Sequence, residues 1–129
     1  MWIVIGAKLG AIGVALGAFG AHALPGWLET QARGAEMTAR VIASFETAVR
    51  YQMYHALALV LVGLLARTSP SRLLDASGVA FLLGVIVFSG MLYLWVLTAT
   101  KAFALVVPIG GVAFIVGWAL LALAAWKAD

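Results

Sequence analysis

The residues best suited to chemistry near neutral pH are two histidines, His22 and His55. His55 ends the stretch FETAVRYQMYH, which also carries Glu46, Arg50, Tyr51 and Tyr54. At helical spacing Ser44, Ala48, Tyr51 and His55 share one face, and Glu46, Arg50 and Tyr54 share the adjoining one. Ser89 and Tyr93 lie one turn apart further along the chain. Two histidines on neighbouring helices could act as axial ligands of a haem, but they would need similar depths and a wide slot, and these two are offset. A metal site would need a third ligand; Glu46 is the only candidate, and no H-x-x-E or E-x-x-H spacing accompanies it. There is no nucleophile–base pair, phosphate loop or dinucleotide fingerprint. With 0 cysteines, thiol chemistry and disulfides are excluded. The expectation is a protein that is not an enzyme, with no metal and no cofactor, haem on His55 being the alternative.

These side chains must be positioned by an apolar scaffold. The 129-residue chain is 65% hydrophobic and 10% charged, against roughly 25% charged in ordinary soluble domains. A soluble fold of this size could not hide that much apolar surface, so its solvent is lipid. A net charge of +3 without a basic cluster argues against nucleic acid and fits a mild attraction to anionic headgroups. A span needs about 20 apolar residues, and the stretches 2–24, 47–66, 73–97 and 104–126 qualify. Such runs can satisfy their backbones in lipid only as helices. The expected fold is therefore all-α: one transmembrane domain, residues 1–129, forming an integral membrane four-helix bundle. Trp2, Trp27, Trp95 and Trp126 fall at span ends, where indoles favour headgroup depth. The short link 67–72 contains Pro70 and predicts a tight antiparallel hairpin of spans two and three.

Residues 27–45 differ. Glu29, Arg33, Glu36 and Arg40 make a charged helical stripe beside the apolar Met37, Val41 and Phe45. Glu29/Arg33, Glu36/Arg40 and Glu46/Arg50 are i,i+4 pairs with the acid first, the favourable order. The segment reads as an amphipathic interfacial helix between spans one and two, or as an extension of span two into water.

Span one is punctuated by Gly6, Gly10, Gly13, Gly17 and Gly20, spaced four, three, four, three. On a helix they fall within roughly 80° of one another, a bare glycine-zipper seam. Helices in lipid associate by close packing, which small residues permit. Val4, Lys8, Ala11, Ala15, Ala18 and His22 form a second thin face opposite. Two thin faces predict that span one is the most central helix, with the second seam against another span or another subunit.

Polar residues gather in the half of the bilayer nearest the loop 27–45. His22 ends span one there, Glu46, Arg50, Tyr51, Gln52, Tyr54 and His55 open span two, Ser89 and Tyr93 end span three, and Pro108, Gly110 and Gly111 open span four. The other half is nearly pure aliphatic, apart from Lys8 and Asp75, which could pair. Intramembrane polar groups usually face the bundle interior, so one shared pocket is expected, lined by His22, Glu46, Arg50, Tyr51, Tyr54, His55, Ser89 and Tyr93. The bland reading leaves Ser89 and Tyr93 as hydrogen-bonding glue between helices and His22 as an interfacial cap.

Orientation rests on a near tie: Lys8, Arg67, Arg72 and Lys127 lie on the side of the termini, and Arg33, Arg40, Arg50 and Lys101 opposite. The short-loop weighting of the positive-inside rule assigns the termini to the cytoplasmic face. Ala21-His22-Ala23 has the pattern of a signal-peptidase site, but no basic segment precedes the apolar run and Lys8 interrupts it, so a cleaved leader is not expected.

GAFGAHAL (17–24), FETAVRYQMYHALAL (45–59), FSGMLYL (88–94) and PIGGVAFIVGW (108–118) closely resemble domain-of-unknown-function family 423. These are small four-span bacterial membrane proteins with a eukaryotic relative, transmembrane protein 256. The resemblance covers all four spans in order and implies a four-helix protein of the bacterial inner membrane with no assigned activity or catalytic residues. The function expected is a non-enzymatic binding or accessory module using the polar pocket. Its partners would be the bilayer and either a second copy of the chain or another membrane protein. The alternatives are a haem-binding or redox protein using His55, and an oligomeric small transporter or channel.

Overall fold

Ser71 and Gly34 set the helix boundaries that matter most. Ser71 accepts the Leu74 N–H at 3.2 Å and so caps the helix that follows Pro70. Gly34, at φ 78°, turns the chain into the long second span through a backbone conformation that suits glycine. The structure, a computed structural model, describes residues 1–127; Ala128 and Asp129, the end of the expected domain, lie outside the described residues. Its elements are α1 (Trp2–His22), α2 (Leu24–Glu29), α3 (Ala35–Thr68), α4 (Arg72–Gly84), a π-helical turn (Val85–Ser89), α5 (Gly90–Thr98) and α6 (Lys101–Trp126). α4, the π turn and α5 run on as one span, Arg72–Thr98, so among the described residues four helical stretches are long and apolar enough to cross a bilayer. The fold is an all-α membrane bundle.

The segment 27–45 is not a separate interfacial helix. Trp27 to Glu29 end α2, a turn follows, and Ala35 begins a helix that continues into span two. No glycine or proline interrupts residues 35–62, so nothing stops the helix at the membrane surface. Its 34 residues make it about 51 Å long, well beyond a hydrocarbon layer of about 30 Å. The outer turns of α3 therefore stand above the hydrocarbon. Glu36 and Arg40 approach to 3.9 Å. The expected Glu29–Arg33 and Glu46–Arg50 pairs do not close among the described residues. Arg33 instead donates through Nη1 to the Val96 carbonyl at 3.1 Å, with its guanidinium 5.7 Å from the Trp27 ring centroid. A cation on the last carbonyls of α5 is well placed against that helix's dipole.

The spans pack in chain order, and α3, not α1, is the central helix: it packs against α1, α2, α4, the π turn and α5. The glycine seam of α1 does face α3. A β-carbon at Gly6 would stand 2.5 Å from the Ala56 carbonyl oxygen, and one at Gly20 would stand 2.8 Å from the Phe45 ring. Gly13 faces Met53 and Gly17 faces Val49, whereas Gly10 meets nothing within 4 Å. The second thin face (Val4, Lys8, Ala11, Ala15, Ala18 and His22) is exposed throughout. Span one is thus a peripheral helix packed on one side. Small residues permit a close approach but do not supply the neighbour that makes it.

Near the chain termini the core gathers Trp2, Leu59, Val62, Phe81 and Phe114, and towards the loop it gathers Leu24, Leu28, Val41, Phe45 and Val96. Asp75 does not serve Lys8, which is exposed. Its Oδ1 accepts the Trp2 indole N–H at 2.9 Å. That bond draws Trp2 inward against Gly78, and the indole is buried between helices.

Candidate functional site

The polar side chains of the second span point in three directions, set by their positions around α3. Gln52 is buried and faces two helices at once. Its Nε2 donates to the Leu9 carbonyl of α1 at 2.8 Å, and its Oε1 accepts the Tyr93 hydroxyl of α5 at 2.9 Å. The amide reaches the α1 backbone because Gly13 lies beside it without a side chain; a β-carbon there would stand 3.4 Å from Nε2. One turn before Gln52 in α3, the Ala48 carbonyl accepts the Ser89 hydroxyl at 2.8 Å. Ser89 and Tyr93 therefore tie the third span to the second, which is the glue role their spacing allowed. Phe45 packs beside this network, its ring tilted 56° to that of Tyr93 with centroids 5.1 Å apart.

His55 faces the other way, towards α6. Its ring lies flat on Phe114, centroids 3.5 Å apart and planes 6° apart, with Phe81 at 5.4 Å. Nε2 is 3.2 Å from the Trp118 indole nitrogen and Nδ1 is 2.8 Å from the Tyr51 carbonyl. An indole N–H can only donate, so Nε2 is the acceptor and Nδ1 carries the hydrogen given to Tyr51. One tautomer satisfies both nitrogens. Gly84 and Gly117 hold the faces of Phe114 and Phe81 that complete this aromatic box.

The third direction is outward. His22, Glu46 and Arg50 are exposed, and so are Tyr51 and Tyr54. The eight side chains expected to share one pocket therefore do not share one: Ser89 and Tyr93 belong to the Gln52 network, His55 to the aromatic box, and His22, Glu46 and Arg50 to the surface. Tyr51, Tyr54 and His55 remain together. They line a groove of about 590 Å³ between α3 and α6, whose other walls include Phe88, Pro108, Gly111 and Phe114. α3 and α6 barely approach backbone to backbone; Tyr51 and His55 reach Phe114 across the gap between them. The groove exists because α6 packs instead on α4 and the π turn. There Phe88 is pressed against the bare backbone of Gly110.

Chemically the groove is an aromatic trough with hydroxyls along one wall. Among the described residues no buried side-chain nitrogen or oxygen lacks a hydrogen-bond partner, so the interior networks are closed. Tyr51 and Tyr54 are different: both are exposed residues that line the groove, and neither hydroxyl has a protein partner among the described residues. A haem does not fit these histidines. His55 is stacked at van der Waals distance with both nitrogens engaged, and His22 lies on the exposed face of α1, away from α6. Among the described residues no group of three or more histidine, aspartate or glutamate side chains could hold a metal ion. Gln52 and Trp118 are the residues whose roles spacing alone did not reveal. The available signal was the chemistry of their heads: an amide and an indole N–H deep in apolar spans each need a partner.

Comparison with known proteins agrees with this architecture. Residues 16–111 match the family described as a protein of unknown function (DUF423). The chain is 39% identical over 127 residues to UPF0382 membrane protein SAB0533 of Staphylococcus aureus, covering 98% of this chain and 96% of the relative. It is 35% identical over 128 residues to UPF0382 membrane protein YwdK of Bacillus subtilis, covering 98% of this chain and 97% of the relative. No solved structure matches the chain. With a match across most of its length and full-length relatives that are bacterial membrane proteins, the chain belongs to the DUF423 family.

Proposed function

We propose that this protein is a non-enzymatic binding module of the bacterial inner membrane, with cytoplasmic termini, that takes an amphiphilic ligand sideways from the lipid into the α3–α6 groove. The observation that carries this reading is the groove itself: about 590 Å³, bounded by Tyr51, Tyr54, His55 and Phe114. Its size falls within the range of about 300–1,000 Å³ usual for small-molecule sites, which are likewise mostly apolar with a few convergent polar groups. The Phe88 and Phe114 side of the trough accepts an apolar body. The Tyr51 and Tyr54 hydroxyls offer donors to a ligand head that carries a carbonyl or carboxylate oxygen. His55 acts from beneath, since its bond to the Tyr51 carbonyl and its stacking on Phe114 hold the floor in place.

A photoreactive palmitic acid bearing a diazirine tests the reading in protein reconstituted into nanodiscs. Labelling is expected to concentrate on peptides containing Tyr54 and Val112 and to fall sharply in Gly111→Leu. A β-carbon at Gly111 meets only the Phe88 ring, at 3.9 Å, so a side chain there fills the groove without forcing the helices apart. Labelling spread evenly over lipid-facing positions such as Val14 and Leu57, and unchanged by Gly111→Leu, would refute it.

A further inference from the structure

A second cleft, of about 600 Å³, lies where the outer turns of α3 meet the start of α6. Three cations from three parts of the chain line it: Arg33 from the turn before α3, Arg40 from α3 and Lys101 from the first position of α6. No acidic side chain lines it. Glu36, which approaches Arg40 at 3.9 Å, is largely exposed and lines a neighbouring hollow instead. Between the cations the cleft is apolar, formed by Met37, Val41 and Leu105. Val41 is buried, whereas Leu105 is 79% exposed and sits one helical turn deeper than Lys101.

We propose that this cleft seats one anionic phospholipid, its phosphate between Arg33, Arg40 and Lys101 and the start of an acyl chain along Leu105. Depth and charge both select that occupant. Arg40 stands seven residues outward of Thr47, roughly 10 Å along the helix and therefore at the level of the headgroups. The anion present at that level is lipid phosphate, and the apolar floor runs from the cations towards the hydrocarbon. Arg33 is held ready by its bond to the Val96 carbonyl, which uses Nη1 and leaves the other guanidinium N–H groups for a phosphate oxygen. This site is separate from the α3–α6 groove and does not depend on the function proposed for it.

The full chain in mild detergent, titrated with phosphatidylglycerol or phosphatidylcholine and observed by native mass spectrometry, provides the test. Phosphatidylglycerol is expected to be retained in clear preference to phosphatidylcholine. Arg40→Gln combined with Lys101→Gln should weaken that retention by about five-fold per charge removed. Arg67→Gln with Arg72→Gln, exposed cations at the opposite end of the bundle, should leave it unchanged. Leu105→Asn keeps every charge and should still weaken retention of the lipid. Glycerol phosphate, the same anion without chains, should not displace it at equal concentration. Equal retention of the two lipids, equal loss from both charge pairs, or full displacement by glycerol phosphate would each overturn the proposal.

Discussion

The Trp118 indole nitrogen and His55 Nε2 lie 3.2 Å apart, joining residues separated by 63 positions across the groove between α3 and α6. Because the indole is a donor only, this contact fixes the imidazole hydrogen on Nδ1, where the Tyr51 carbonyl receives it. The Trp118 bond and the Phe114 stack anchor α6 to α3 where their backbones stay apart. Replacing Trp118 by Phe leaves Nε2 facing an apolar wall and should destabilise the bundle by about 1 kcal/mol, the scale of interhelical bonds in membranes. In a His55→Phe background the same change should cost less. Steric-trapping unfolding measurements of the two single variants and the double variant give the coupling directly.

Gln52 joins three helices through one amide, so its loss should exceed that of either partner. Gln52→Leu removes the bonds to the Leu9 carbonyl and the Tyr93 hydroxyl together, an expected loss of about 1–2 kcal/mol. Tyr93→Phe should lose about half as much in the wild type, and almost nothing once Gln52 is leucine. Additive losses in the unfolding equilibrium would show that the two groups are not bonded.

The glycine seam of α1 divides into positions that touch and one that does not. Gly6→Ala drives a methyl group to 2.5 Å from the Ala56 carbonyl oxygen and should destabilise by about 1–3 kcal/mol. Gly10 has no atom within 4 Å of a β-carbon, so Gly10→Ala should be neutral or should stabilise by up to about 1 kcal/mol through helix propensity. Thermal unfolding in detergent separates the two outcomes.

Ala99 closes α5 with φ 56° and ψ 16°, in the left-handed region, and its N–H caps the Trp95 carbonyl. A β-carbon in that conformation costs about 1–2 kcal/mol, partly offset by the greater freedom of glycine in the unfolded chain. Ala99→Gly should therefore raise stability by up to about 1 kcal/mol. A lowered unfolding midpoint would mean that this cap is not formed.

What was legible in the sequence was distance along the membrane normal. Apolar run length located the four spans, and the short link 67–72 with Pro70 predicted the tight hairpin that forms. The even spacing of Gly6, Gly13 and Gly20 identified the face of α1 that meets α3. Direction around each helix was less legible. His55 and Gln52 sit at nearly one depth yet serve different neighbours, because three residues on a helix turn a side chain by about 60°. Depth alone merged them with Arg50, which faces outward. Two thin faces made α1 look central, but only one of them found a neighbour; pairing among spans is decided by the bundle as a whole. From Ala35 onward the charged segment carries no stop signal before span two, and the long α3 follows from that absence.

The most direct measurement of the central claim is quenching of Trp118 by dibrominated stearic acid in nanodiscs, with Trp27, Trp95 and Trp126 replaced by phenylalanine. Trp2 remains as a reference, 5% exposed and bonded to Asp75. A groove that takes the amphiphile predicts quenching of Trp118 that saturates at a low mole fraction and is lost in Gly111→Leu. Quenching that rises in proportion to the brominated fraction, with the same slope in both proteins, would contradict it.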